Sequence, residues 1–197
     1  MHTVISIPAP FYSEAIWKTI RYRVGDPTSY IPPVDVLKSP ATVSQSTAEM
    51  LWRLGRFFKP KVVAEVGTYI GRSARAIAHG MESGEIFTCD SETNHPIAMT
   101  AENVKLYRHN TTSTEMLSQM TKPVDFWFFD GRVQPDDIPH IQRLSSPDCV
   151  IALDDFIGVE KGVANALMLQ HLGGILVYPE EGQTLAMMVR KVGFVRQ

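Results

Sequence analysis

From Lys61 onward, short apolar runs alternate with stretches of helical spacing, and two of the runs, Val124 to Phe129 and Cys149 to Leu153, are almost wholly apolar. Half-exposed strands alternate apolar and polar side chains, whereas strands covered on both faces by crossover helices do not. The pattern therefore predicts an α/β chain with a doubly wound, mostly parallel sheet. Strands are expected at Val62–Val66, Glu85–Asp90, Val104–Tyr107, Val124–Phe129 and Cys149–Leu153, with helices over Arg72–His79, Pro96–Ala101 and Thr112–Met120. The last two runs, Gly174–Tyr178 and Thr184–Lys191, are joined by Pro179-Glu180-Glu181-Gly182-Gln183, too short for a helical crossover, so they should be antiparallel.

The first 60 residues read differently. Ser13–Arg23 carries Ile16, Trp17 and Ile20 at helical spacing, and five helix breakers lie between Gly25 and Pro40. Ser46-Thr47-Ala48-Glu49 matches a capping box, and the helix it opens should stop near Phe58, before Lys59-Pro60. Residues 1–60 are expected as a helical and linker appendage to a core at 61–197, the two forming one structural domain.

The chain of 197 residues has 19 Lys+Arg against 21 Asp+Glu, a formal charge of -2 without any basic run. A nucleic-acid binder needs a positive footprint to neutralise phosphates, so that class is excluded. No apolar stretch is long enough to cross a bilayer, and the first residues lack the pattern of a signal peptide. Two cysteines, Cys89 and Cys149, form no spaced framework, which points to reduced thiols and a cytoplasmic location.

The first core strand ends in Glu65-Val66-Gly67-Thr68-Tyr69-Ile70-Gly71-Arg72-Ser73. A dinucleotide loop wants glycine where Tyr69 stands, and a P-loop wants a Gly-Lys-Ser/Thr ending that this loop lacks. A tight turn is all that the glycines require by themselves. With a strand before it, a helix after it and Asp90 ending the next strand, the loop reads instead as a site for a ligand without phosphates. It resembles motif I of the class I S-adenosylmethionine-dependent methyltransferases. It is closest to the metal-dependent, catechol O-methyltransferase-like enzymes, whose motif Glu-x-Gly-x-Tyr-x-Gly-x-Ser is matched by Glu65, Gly67, Tyr69, Gly71 and Ser73. The resemblance implies a seven-stranded Rossmann-like methyltransferase fold with a final antiparallel strand and an N-terminal helical lid. It also implies S-adenosylmethionine as cofactor. Glu65 would bind the methionine ammonium directly or through water, Ser73 the carboxylate, Tyr69 the sulfonium and Asp90 the ribose hydroxyls. Ser113 and Thr114 would reach the adenine.

Asp130, Asp154 and Asp155 end the fourth and fifth strands. Carboxylates brought together repel unless a proton or cation intervenes, and an all-oxygen set selects a hard cation, Mg²⁺ before Mn²⁺ or Ca²⁺. Each could equally cap a following helix. By resemblance the three hold the metal, with Asp155 where the family has Asn, and Asp130 lies beside the cofactor as a catalytic residue. Many family members carry a Lys three residues after the first metal Asp, available as a base; Val133 stands there, preceded by Arg132, which could orient an anionic substrate. The base is left open between the metal's own effect and an unassigned residue. The function expected is methyl transfer to an oxygen of a small hydroxyl compound, assisted by a divalent cation. The alternatives are a metal-independent O- or N-methyltransferase of this fold and a non-catalytic S-adenosylmethionine-binding module. Phe11, Trp17, Tyr22 and Tyr30 would form the lid, or would pack against the core or a second subunit of a homodimer.

Overall fold

The structure is a computed structural model and describes residues 10–27, 42–92, 101–157, 159 and 161–190. Two helices, α1 (Pro10–Val24) and α2 (Gln45–Phe58), lead into β1 (Val62–Val66), α3 (Arg72–Gly80), β2 (Gly84–Cys89) and β3 (Val104–His109). After these come α4 (Ser113–Gln119), β4 (Val124–Phe129), α5 (Ile138–Leu144), β5 (Ser145–Leu153), α6 (Lys161–Leu169), β6 (Ile175–Val177) and β7 (Ala186–Val189). The seven strands lie in the order β3-β2-β1-β4-β5-β7-β6. The first five in that order pair in parallel, and β7 runs antiparallel to both β5 and β6. The expected class and the expected antiparallel ending are both present.

The apolar strands are buried on both faces because side chains of a strand point alternately to either side. Val63, Phe126, Phe128, Val150 and Ala152 face one core cluster, which they share with residues of α1, α2 and α3. Ala64, Trp127, Phe129, Ile151 and Leu153 face the other, packed against α4, α5 and α6. The first cluster runs without a break across residue 60, so α1 and α2 share the core of the sheet. Trp17 is buried and its Nε1 donates to the carbonyl of Tyr178 at 2.6 Å, while Tyr178 N donates to Ser13 Oγ at 3.1 Å. Of the two readings of the N-terminal aromatics, Trp17 follows the second, packing into the core. Tyr22 is exposed; Tyr30 and the side chain of Phe11 lie outside the described residues, as does most of the helix expected at Pro96–Ala101.

Helix α2 is capped two residues before the start of the expected capping box. Ser44 is the N-cap, its side chain accepting from Thr47 N at 3.0 Å, and Lys59 closes the helix in a left-handed conformation. Ser46 Oγ meets Ser44 Oγ, which makes it part of the first turn and not the cap. Helices α5 and α6 fall in stretches to which the spacing assigns no helix. Among the described residues, no helix is long and apolar enough to cross a membrane.

The register fixes where a site can form. Val66 pairs with Cys89 on one side and Phe129 on the other, and Phe129 pairs with Leu153. Gly67, Asp90, Asp130 and Asp154 thus leave four adjacent strands at one level, at the carboxyl edge where the strand order reverses. Ligands of doubly wound sheets bind at this place.

Candidate active site at the strand order reversal

The glycine loop turns through left-handed backbone at Gly67 (φ 94°), Tyr69 (φ 46°) and Gly71 (φ 77°). At Gly67 the reason is close packing as well as conformation, since a Cβ there would lie 2.7 Å from Gly131 N. The loops after β1 and β4 therefore press directly against each other, with Asp130 N and Gly131 N both donating to Val66 O. Tyr69 bears a side chain in a region disfavoured for one, and its N–H is held by Asp90 Oδ2 at 2.7 Å. The other oxygen of Asp90 accepts from Glu92 N at 2.9 Å. Asp90 thus ties the loop after β1 to the loop after β2.

Beneath the loop, Glu65 is fully buried and accepts hydrogen bonds from Ser73 Oγ and Thr88 Oγ1. Burial raises its carboxyl to about 7, against the lowering effect of those two hydroxyls. Glu65 and Ser73 are brought together, but each is the other's partner, which accounts for the burial of both.

A cleft of about 530 Å³ opens above these loops, with Gly67, Asp90, Ser113, Gly131, Arg132 and Lys161 in its wall. That volume suits a small ligand. The side chain of Tyr69 is half-buried and does not form part of this wall. Ser113 and Thr114 lie at the start of α4, where their hydroxyls donate to the two oxygens of the buried Asp137, at 2.8 and 2.6 Å. Asp137 also accepts from Gln134 N at 2.8 Å, so these two hydroxyls pin α4 to the segment after β4.

Asp130, Asp154 and Asp155, the residues expected to hold a metal, are not brought together as an open set of ligands. Among the described residues, no group of His, Cys, Asp or Glu is arranged to hold a metal ion. The physical reason is Lys161. Its Nζ lies 2.6 Å from Asp130 Oδ1 and 2.9 Å from Asp155 Oδ2, while Asp154 Oδ1 instead accepts from Thr184 Oγ1 at 2.8 Å. An ammonium already stands between two of the three carboxylates and the third is bonded to Thr184, so the donor set as arranged does not fit a divalent cation. Burial lifts the Asp130 carboxyl above its ordinary range, with Lys161 pulling it back. Burial, then the charge of Asp130, raises Asp154 to about 6. Burial also works against the charge on Lys161, but the bonds to both aspartates outweigh it and hold its pKa above the usual lysine value.

The backbone brings Lys161 there. A Cβ on Gly162 would sit 2.2 Å from Asp154 O, so only glycine lets the first turn of α6 rest on the Asp154-Asp155 backbone. One turn on, the buried Asn165 accepts from Val133 N and donates to Gly131 O, both at 2.9 Å. The spacing of four residues puts Lys161 and Asn165 on one face of α6. Neither was singled out by sequence, because the signal, Lys-Gly-x-x-Asn at a helix start, has no meaning until α6 is known to lie over the loop after β4.

Residues 64–156 match the family model described as a methyltransferase domain. That stretch, a little under half of the chain, is what is similar to a methyltransferase domain. The chain's sheet order and antiparallel β7 are those of the Rossmann-like methyltransferase fold. An O-methyltransferase from Bacillus cereus, solved in complex with SAH, superposes on this chain with a TM-score of 0.60 at 19% identity. The match covers 93% of this chain and 100% of that one. The O-methyltransferase TomG from Streptomyces achromogenes, solved with SAM, gives 0.54 at 15% identity, covering 91% of this chain and 90% of that one. A precorrin-6y C5,15-methyltransferase from Geobacter metallireducens gives 0.59 at 14% identity, covering 81% and 95%. At these identities the likeness is one of fold, and its spread over O- and C-methyltransferases leaves the acceptor to the site itself. No curated protein sequence matches the chain.

Proposed function

We propose that this methyltransferase domain moves the methyl group of S-adenosylmethionine to an oxygen of a small hydroxyl compound. The observation that carries the reading is Asp90, a carboxylate in the cleft wall at the strand order reversal, held in place by the N–H of Tyr69. A carboxylate there can accept both hydroxyls of a ribose. Gly67, Tyr69 and Gly71 shape the loop over the methionine end, and Ser113 borders the adenine end, with Thr114 behind it on Asp137. Glu65 and Ser73 serve the cofactor by holding the loop from below. The modest size of the cleft and the absence of a basic run favour a small acceptor. Cys89 and Cys149 are buried and unpaired, which suits a cytoplasmic setting.

The sulfonium already activates its methyl group, so the protein contributes mainly alignment. As the acceptor oxygen forms its bond to the methyl carbon, the carbon–sulfur bond breaks and its electron pair stays on sulfur as a neutral thioether. The hydroxyl proton leaves to Asp130, whose burial makes it a better base than an ordinary aspartate.

Calorimetry with S-adenosylhomocysteine tests the first half. Wild type is expected to bind it, and Asp90→Ala to bind roughly 10–100-fold more weakly, as expected for losing hydrogen bonds to a charged acceptor. Mass spectrometry of reactions with a panel of catechols, phenols and amines tests the second half. A methylated amine with no methylated hydroxyl compound would overturn the oxygen acceptor, and unchanged binding by Asp90→Ala would overturn the cofactor site.

A further inference from the structure

We infer that Lys161 is the resident cation of this active site: its ammonium stands where a divalent metal would otherwise bridge the strand-end carboxylates, and it presents its remaining N–H to the acceptor oxygen. Three observations converge on it. The ammonium has three donors. Two go to Asp130 Oδ1 and Asp155 Oδ2, and among the described residues the third has no partner. The side chain nevertheless lines the cleft, so the third donor is available to what the cleft holds.

The placement is built into the backbone. Gly162 lets α6 seat on the Asp154-Asp155 peptide, and Asn165 clasps Gly131 and Val133 on the β4 side. Asp155 lies in left-handed backbone (φ 51°), a conformation available to Asp at modest cost, which turns its carboxylate toward Lys161. Arg132, which borders the same cleft, adds a second positive charge at this end. A partly desolvated cation beside the acceptor stabilises the negative charge that grows on oxygen as its proton leaves. A divalent ion would supply the same stabilisation, but here it would have to displace the ammonium from both aspartates.

The inference deepens the proposed function and rests on it for the kinetic readout, but its first test is independent of methyl transfer. Mn²⁺ is titrated by calorimetry into the full chain. Wild type is expected to show no binding up to about 1 mM, and Lys161→Ala, which leaves the carboxylates without their counter-charge, to gain at least about tenfold in affinity. The double variant Lys161→Ala/Asp155→Ala is expected to lose that gain. Mn²⁺ binding by wild type that displaces Lys161, or no gain in Lys161→Ala, overturns the inference.

The second test uses turnover of whichever panel compound wild type methylates. Excess EDTA should leave the rate within about twofold, and Lys161→Met should lower kcat by about 100-fold with S-adenosylhomocysteine affinity nearly unchanged. Lys161→Arg, which keeps the charge, should recover part of kcat and shows whether loss of folding accounts for the effect. A rate abolished by EDTA, or an equal loss in Met and Arg variants that remain folded, refutes the role. If no panel compound is methylated, the proposed function is what fails, and the Mn²⁺ titration still decides the role of Lys161.

Discussion

Glu65 shows how one residue can match a motif and yet take its character from its surroundings. Its carboxyl is fully buried and raised to about 7 from an ordinary 4.5. A carboxyl with a raised folded pKa holds its proton longer in the native state than in the unfolded chain. Its contribution is therefore fully present below pH 4.5, falls as pH rises through the window from 4.5 to 7, and is gone above it. The shift corresponds to about 3 kcal/mol. Glu65→Gln cannot titrate, so its stability should change less than that of wild type between pH 5 and pH 8, measured by urea midpoints. Parallel pH profiles for the two proteins would show that Glu65 is not the group responsible. Ser113 and Thr114 behave in the same way, as polar residues in a site whose hydroxyls are taken up by the buried Asp137.

At the scale of elements, the site is an assembly of strand ends braced by one helix. Parallel register sets Gly67, Asp90, Asp130 and Asp154 at one level, and α6 joins two of those loops from above through Lys161, Gly162 and Asn165. Gly162→Ala would bring a methyl group to 2.2 Å from Asp154 O, so α6 must move away from the β5 end. The expected result is a stability loss of about 1–3 kcal/mol, as for overpacked interiors. Turnover should fall further than Asn165 packing alone explains, because Lys161 is drawn off Asp130. Both are measurable, by urea unfolding and by kcat. A variant with wild-type turnover would show that the approach of α6 is not needed.

For the whole molecule, the N-terminal helices complete one of the two hydrophobic layers. Trp17 is inserted beside the end of β6, where Tyr178 also meets Phe156 edge to face with ring centroids 5.8 Å apart. Phe156 follows Asp155 directly, so α1 is fastened to the β5 side of the carboxyl edge. The salt bridge of Arg21 with Glu180 holds the same segment but is partly exposed and adds little. Trp17→Ala should cost about 3–5 kcal/mol in urea unfolding. Affinity for S-adenosylhomocysteine should stay within about twofold in the folded protein, because Gly67 and Asp90 lie on the other side of the strand order reversal. A large fall in that affinity would mean that α1 also covers the cofactor.

The apolar runs were sufficient to determine the class of fold, since a strand without polar alternation must be buried on both faces and only flanking helices can do that. The short link between the last two runs determined their antiparallel pairing, and the spacing of Gly67, Tyr69 and Gly71 ruled out a phosphate loop, while the kind of cofactor was implied by the resemblance that Glu65, Gly67, Tyr69, Gly71, Ser73 and Asp90 carry. Local spacing could not reveal α5 and α6, whose short apolar faces are defined by what they pack against. Nor could it separate a metal centre from an ion pair. Three aspartates at strand ends read as metal ligands until a cation from elsewhere in the chain is placed among them. Lys161 follows Asp130 by 31 residues, and their contact exists only because Gly162 allows a helix to rest on the end of β5. Charge compensation acts through space, so the cation at this site was a decision of the tertiary structure.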